Sequence, residues 1–202
     1  MSSSRLEAFS DGVIAILITI MVLELAQPSG TSWTSLRHVM PRFFIYLLSF
    51  VFLGIYWNNH HHMLALTKRI NGKVLWANLH LLFWLSLVPY TTQWLGEGKG
   101  KGGHAYQQVP AAVYGIVLLL AALAYFILRT SILNEQGEGS QLAQALGNDV
   151  KGKISPVIYA AAIPLAFLNR WIAIALYVSV AAIWLVPDPR IEQSLAAERG
   201  SG

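Results

Sequence analysis

The chain has 202 residues, 55% hydrophobic and 12% charged, with a mean hydropathy of +0.50. It is too apolar for an ordinary soluble domain of this length, and it predicts an all-α integral membrane protein. The net charge of +4 does not signal nucleic acid, because most Lys and Arg lie in short loops beside apolar segments; the absence of cysteine excludes disulfides, thiolate metal sites and thiol nucleophiles.

Crossing a hydrocarbon core about 30 Å thick takes ~20 residues of helix. Six stretches approach or exceed that length: residues 5–26, 42–66, 74–95, 107–128, 154–168 and 171–186. Together they predict one six-span membrane domain over residues 1–202. The first stretch opens on Arg5-Leu6-Glu7-Ala8-Phe9-Ser10-Asp11 and runs without a break into Gly12 to Leu23. Charge this close to lipid costs about 2.5–3.5 kcal/mol per residue at a helix centre, so such residues mark a pathway or a packing lock. Beyond them, Ile16, Thr19, Ile20 and Leu23 fall at i, i+3, i+4 and i+7 on one stripe, with Gly12 one turn before Ile16. Every face of this helix is apolar, so periodicity leaves open whether the stripe meets lipid, a neighbouring helix or a pore. Glu24, at the far end, either concentrates cations at a pore mouth or is a solvated helix end.

The second stretch carries Trp57-Asn58-Asn59-His60-His61-His62. Successive helical side chains turn by about 100°, so three consecutive histidines cannot all face the first helix. No H-x-x-x-H or H-E-x-x-H spacing is present, which argues against a metal site. The expected role is hydrogen bonding to Arg5, Ser10 and Asp11, satisfying groups that lipid cannot, with His80 of the third stretch as a possible member. Asn169-Arg170, with Pro156 and Pro164 before it, interrupts the last apolar run. A tight hairpin of two short helices is preferred there over one long broken helix.

The segments between the stretches are connectors. Residues 96–103 form a Gly-rich outer linker, and residues 134–153 form a polar inner loop with room for a surface helix around 141–146. An inside N-terminus collects nine Lys and Arg (Arg5, Lys68, Arg69, Lys73, Arg129, Lys151, Lys153, Arg190, Arg199) against five outside (Arg37, Arg42, Lys99, Lys101, Arg170), which places both termini in the cytoplasm. The start lacks a convincing signal-peptide pattern and is expected to be retained. No internal repeat is visible, so a symmetric pathway would be assembled from several copies of the chain.

R-x-x-x-F-S-D at the head of the first stretch and W-x-N-H-H in the second resemble the transmembrane protein 175 family of potassium channels in its bacterial single-repeat form. Arg5, Phe9, Ser10 and Asp11 fill the first motif; Trp57, Asn59, His60 and His61 carry the second, with Asn58 between them. The resemblance implies a homotetramer of six-helix subunits in the plasma (inner) membrane of a prokaryote, with the first helices lining a central pore. It implies passive potassium conduction without a carbonyl filter, and T-V-G-Y-G is indeed missing: Val113-Tyr114-Gly115 lies inside an apolar helical run. Carried onto this chain, the narrowest constriction is Ile16, with Ile20 and Leu23 as outer apolar layers. The threonine layer falls at Thr19, near which a partly hydrated K+ would pass. No cofactor and no structural metal are implied. A proton channel or proton-coupled transporter would instead use Asp11, His60, His61 and His80 as titrating groups. An enzyme would need a nucleophile or metal with a partner, and Ser10-Asp11 plus a histidine only loosely imitates a triad.

Overall fold

Helices follow the apolar stretches, and several of their starts sit where a side chain supplies, or a proline denies, a backbone hydrogen bond. The computed structural model describes residues 2–67, 69–97, 108–137 and 150–186, and all regular structure among them is helical. Helix α1 spans Ser3–Leu23. Helix α2, Trp33–Ala65, begins at Trp33 and not at the expected Arg42, because Ser32 Oγ accepts the Ser35 N–H at 3.2 Å and the helix then runs through Pro41. The third expected stretch is two helices, α3 (Gly72–Ser86) and α4 (Val88–Gly96), parted at Leu87. Pro89, at the second position of α4, has no N–H to offer the preceding turn, so a continuous helix loses a bond there.

Helix α5 spans Gln108–Gln136 and extends well past Leu128. Helices α6 (Val150–Leu168) and α7 (Arg170–Leu185) are separated by Asn169 alone, whose side chain accepts the Trp171 N–H at 2.9 Å. They form an antiparallel hairpin: Trp184 Nε1, near the end of α7, donates to Ser155 Oγ, near the start of α6, at 2.8 Å. Five helical stretches are long and apolar enough to cross a membrane, counting α3 and α4 as one; α7, with 16 residues, is shorter. Most of the linker expected at 96–103 and the whole surface helix expected at 141–146 lie outside the described residues.

Two cores meet along α5. Its C-terminal half (Ala121, Ala124, Leu128, Ile132) packs with α1, α2 and α3, while its N-terminal half (Ala111, Ala112, Tyr114, Leu118) packs with α2, α4, α6 and α7. Small residues let the backbones approach. Gly115 shows how closely: a Cβ there would stand 2.1 Å from Tyr177 Oη, which donates to the Ala111 carbonyl at 2.9 Å. In the same core, Thr92 Oγ1 donates to Ser49 Oγ at 2.7 Å and Ser49 Oγ pairs with Tyr114 Oη at 2.9 Å, tying α4, α2 and α5 together with no polar group left to lipid. Helix α1 packs on α2, α3 and α4, at the flank of the bundle away from the α6–α7 hairpin.

Candidate pore face and polar lock

Helix α1 has two faces. Leu6, Ser10, Ile14, Leu17 and Met21 are buried against the bundle. The opposite side carries Ile16, 57% exposed, Ile20, 40%, and Leu23, 82%. Thr19 shares that exposed side and donates its hydroxyl to the Ile16 carbonyl at 2.8 Å, so the group is satisfied within the helix while its oxygen lone pairs stay accessible. Ala8, Gly12 and Ala15 are exposed beside the stripe, and nothing lies within 4 Å of where a Gly12 Cβ would stand. In this single chain the stripe is uncovered.

Near the start of α1, the polar contacts take a route that the first two helices alone did not reveal. Asn78, on α3 and fully buried, donates through Nδ2 to Ser10 Oγ at 3.0 Å and accepts through Oδ1 from His60 Nε2 at 2.7 Å. An amide oxygen only accepts, so Nε2 of His60 carries the proton. Three helices are thereby joined through one amide. His61 reaches α1 by another route, its Nδ1 lying 2.5 Å from Glu7 Oε1, while its ring stacks on Trp57. Asn78 and Glu7 are the residues that sequence reasoning missed. The signal for Asn78 was available: an amide in an apolar stretch needs partners on neighbouring helices.

The other motif residues are placed differently. Arg5, Phe9, Trp57 and Asn58 are exposed, and Arg5 makes no hydrogen bond or ion pair among the described residues. Asp11 is half-buried, and its Oδ1 and the Nδ1 of His60 are buried atoms with no hydrogen-bond partner among the described residues. His80 does not join the network; it lies exposed on another face of α3 and accepts from Trp84 Nε1 at 2.9 Å. Glu24 is exposed just beyond the end of α1. Among the described residues no group of three or more His, Asp or Glu could hold a metal ion.

Residues 5–89, which hold nearly all of α1, the whole of α2 and the asparagine bridge, match the family model described as endosomal/lysosomal potassium channel TMEM175. Over 96% of its length the chain is 52% identical to a potassium channel of Chryseobacterium sp. (strain P1-3), covering 98% of that protein. The chain belongs to the TMEM175 potassium channel family. Its fold matches the crystal structure of a lysosomal potassium-selective channel TMEM175 homologue from Chamaesiphon minutus with a TM-score of 0.78 and 28% identity, over 91% of this chain and 96% of that one. The human endosomal/lysosomal proton channel TMEM175 is 25% identical over 70% of this chain, which covers 30% of that longer protein. In TMEM175 terms, the chain is a multi-pass membrane protein of an ion channel family, and the polar lock and exposed α1 stripe both lie within or beside the matched segment.

Proposed function

We propose that the chain forms a passive potassium-selective channel: a homotetramer in a bacterial plasma membrane, both termini cytoplasmic, with four α1 helices around the pore. The observation that carries this reading is the uncovered α1 stripe. Ile16, Thr19, Ile20 and Leu23 share one side of a helix that packs at the flank of its own bundle, and small residues beside them leave room for a second copy of α1. Ile16 is the constriction and Ile20 and Leu23 the outer layers. A ring of branched aliphatic side chains excludes water when narrow and passes a cation that sheds part of its hydration. K+ sheds water more readily than Na+, which favours K+, and the Thr19 oxygens offer a partial substitute for lost water. Discrimination is then looser than in a carbonyl filter, because no fixed oxygen cage selects by size.

Purified protein in a planar bilayer under opposed K+ and Na+ gradients tests transport, passivity and selectivity in one reversal potential. The expected potential lies toward the K+ equilibrium value, with tetramers in native mass spectrometry. Monomers in a detergent that preserves conduction overturn the shared pore. A second reading, proton conduction, draws on the grouping of Glu7, Asp11, His60 and His61 near the inner end of α1 and α2. A reversal potential that follows an imposed pH gradient at equal K+ supports it over the first.

A further inference from the structure

Helix α1 packs on α2 to one side and on α3 and α4 to the other, and each of these flanks carries an uncovered face. On α2, Phe43, Leu47, Phe50, Trp57 and Asn58 are exposed, and nothing lies within 4 Å of where a Gly54 Cβ would stand among them. On α3 and α4, Trp76, Leu79, His80, Phe83 and Tyr90 are exposed.

Lipid is a poor neighbour for both faces. Asn58 lies seven residues, ~10 Å, from the Ala65 end of α2, and His80 lies eight residues, ~12 Å, from the Gly72 end of α3. Arg69 and Lys73 mark the membrane boundary at those ends, so both side chains stand at hydrocarbon depth, where no water can satisfy them. The Asn58 side chain makes no hydrogen bond among the described residues. An indole N–H only donates, so the bond from Trp84 Nε1 leaves His80 Nε2 without a proton and puts the hydrogen on Nδ1, a donor with no acceptor among the described residues.

The two faces are in register. His60 bonds Asn78 near one end of the α2 and α3–α4 pair, and Arg42 Nε donates to the Gly96 carbonyl at 3.2 Å near the other. The backbones are close there too, since a Gly96 Cβ would stand 3.6 Å from the Arg42 Cα. Eighteen residues separate His60 from Arg42, and eighteen separate Asn78 from Gly96, so the antiparallel helices keep step along their length. Asn58 is therefore level with His80, and Gly54 with Phe83 and Trp84.

We propose that α2 of one subunit docks on α3 and α4 of the next, a head-to-tail seam that closes the ring; this rests on the tetrameric reading above. A ring of identical chains pairs two different faces of each copy, and rotation about an axis normal to the membrane keeps every residue at its depth. Asn58 Oδ1 then accepts from Nδ1 of His80 of the partner subunit, and Phe83 of the partner subunit enters the notch at Gly54. Both exchanges satisfy what a single chain leaves open: a polar pair at hydrocarbon depth, and a gap between Phe50 and Trp57.

The chain has no cysteine, so introduced thiols report alone. Two differently tagged full-length chains, one with Asn58→Cys and one with His80→Cys, are co-expressed, purified in mild detergent and treated with a short bis-maleimide. Native mass spectrometry is read first: monomers overturn the tetrameric reading and the seam with it, whereas tetramers that fail the following tests overturn the seam alone. The expected product is a covalent heterodimer carrying both tags. Either variant alone should give none, and neither should Asn58→Cys with Tyr90→Cys, which lies on the same face ten residues, ~15 Å, further along. Tetramers without the heterodimer overturn the seam, and so does equal cross-linking of Asn58→Cys to itself or to Tyr90→Cys. Gly54→Leu fills the notch without a clash inside its own chain, so it should leave Tm of the monomer intact while tetramers are lost, and Phe83→Ala in the same chain should restore them. Tetramers indifferent to Gly54→Leu, or a loss that Phe83→Ala does not reverse, overturn the docking of Phe83 at Gly54 and the seam with it.

Discussion

Ile14 and Ile16 are the same residue two positions apart on α1, yet Ile14 is 1% exposed and Ile16 57%. Hydrophobicity cannot explain the difference, since lipid accepts an isoleucine as readily as a helix bundle does. The rotation of α1 about its axis is set by its polar residues. Ser10, bonded to Asn78, turns its own face inward, and Ile14, Leu17 and Met21 follow at i+4, i+7 and i+11. Ile16, Thr19, Ile20 and Leu23 are then left outside. A hydroxyl and an amide thus decide which aliphatic stripe is free to face a pore.

The sharpest way to break this comparison is to place the same residue on both faces. Ile14→Asn puts an amide into packed apolar surroundings, at about 1–3 kcal/mol for the unsatisfied group and more for lost packing. The expected result is a fall in Tm on the order of 5–10 °C, or loss of assembly on size-exclusion chromatography. Ile16→Asn should leave Tm nearly unchanged while current rises and the reversal potential moves toward the Na+ value. Equal thermal losses would show that the two faces are not distinct, and an unaltered reversal potential in folded Ile16→Asn tetramers would remove Ile16 from the ion path.

Asn78→Leu comes next in size. It orphans Ser10 and His60 together, and about 1–3 kcal/mol of destabilisation is expected, read as a loss of thermal stability. Ser10→Ala removes a single link, so about 0.6–1.7 kcal/mol is expected, the range of hydrogen bonds between membrane helices. If Ser10→Ala costs as much as Asn78→Leu, α1 and not the amide is the centre of the lock. Glu7→Gln should cost less still, about 0–1 kcal/mol, because the His61 side chain is 46% exposed and solvent screens the pair. Leu23→Ala, on the most exposed residue of the stripe, should leave Tm unchanged, and a measurable fall would mean that Leu23 is covered by a contact that a single chain does not contain.

Composition and the length of the apolar runs carry the all-helical membrane class, because backbone groups in lipid must bond within their own segment. Motif residues at the head of α1 and in α2 carry the family, since charged and polar groups at those depths are too costly to be incidental. Helix ends were less legible. The start of α2 depends on a Ser32 cap followed by a proline that the helix tolerates, and the division of α3 from α4 on a proline one turn past Leu85. Within the site, the spacing of Ile16, Thr19, Ile20 and Leu23 shows only that they share a stripe; that it is the uncovered one emerges once α1 is packed on α2, α3 and α4.

The sequence by itself determined that the chain is a bundle of apolar helices with a polar cluster near its start, because hydropathy and charge are local properties of the residues. Only the tertiary structure decided that the cluster closes through Asn78 and that Arg5 and Trp57 stand outside it. It also decided that Arg129, a charged residue in the long apolar run of α5, is buried, at 9% exposure. On helices apolar all round, the side chains do not name their neighbours; a few buried hydrogen bonds set each helix's rotation, and those bonds join residues far apart in the chain.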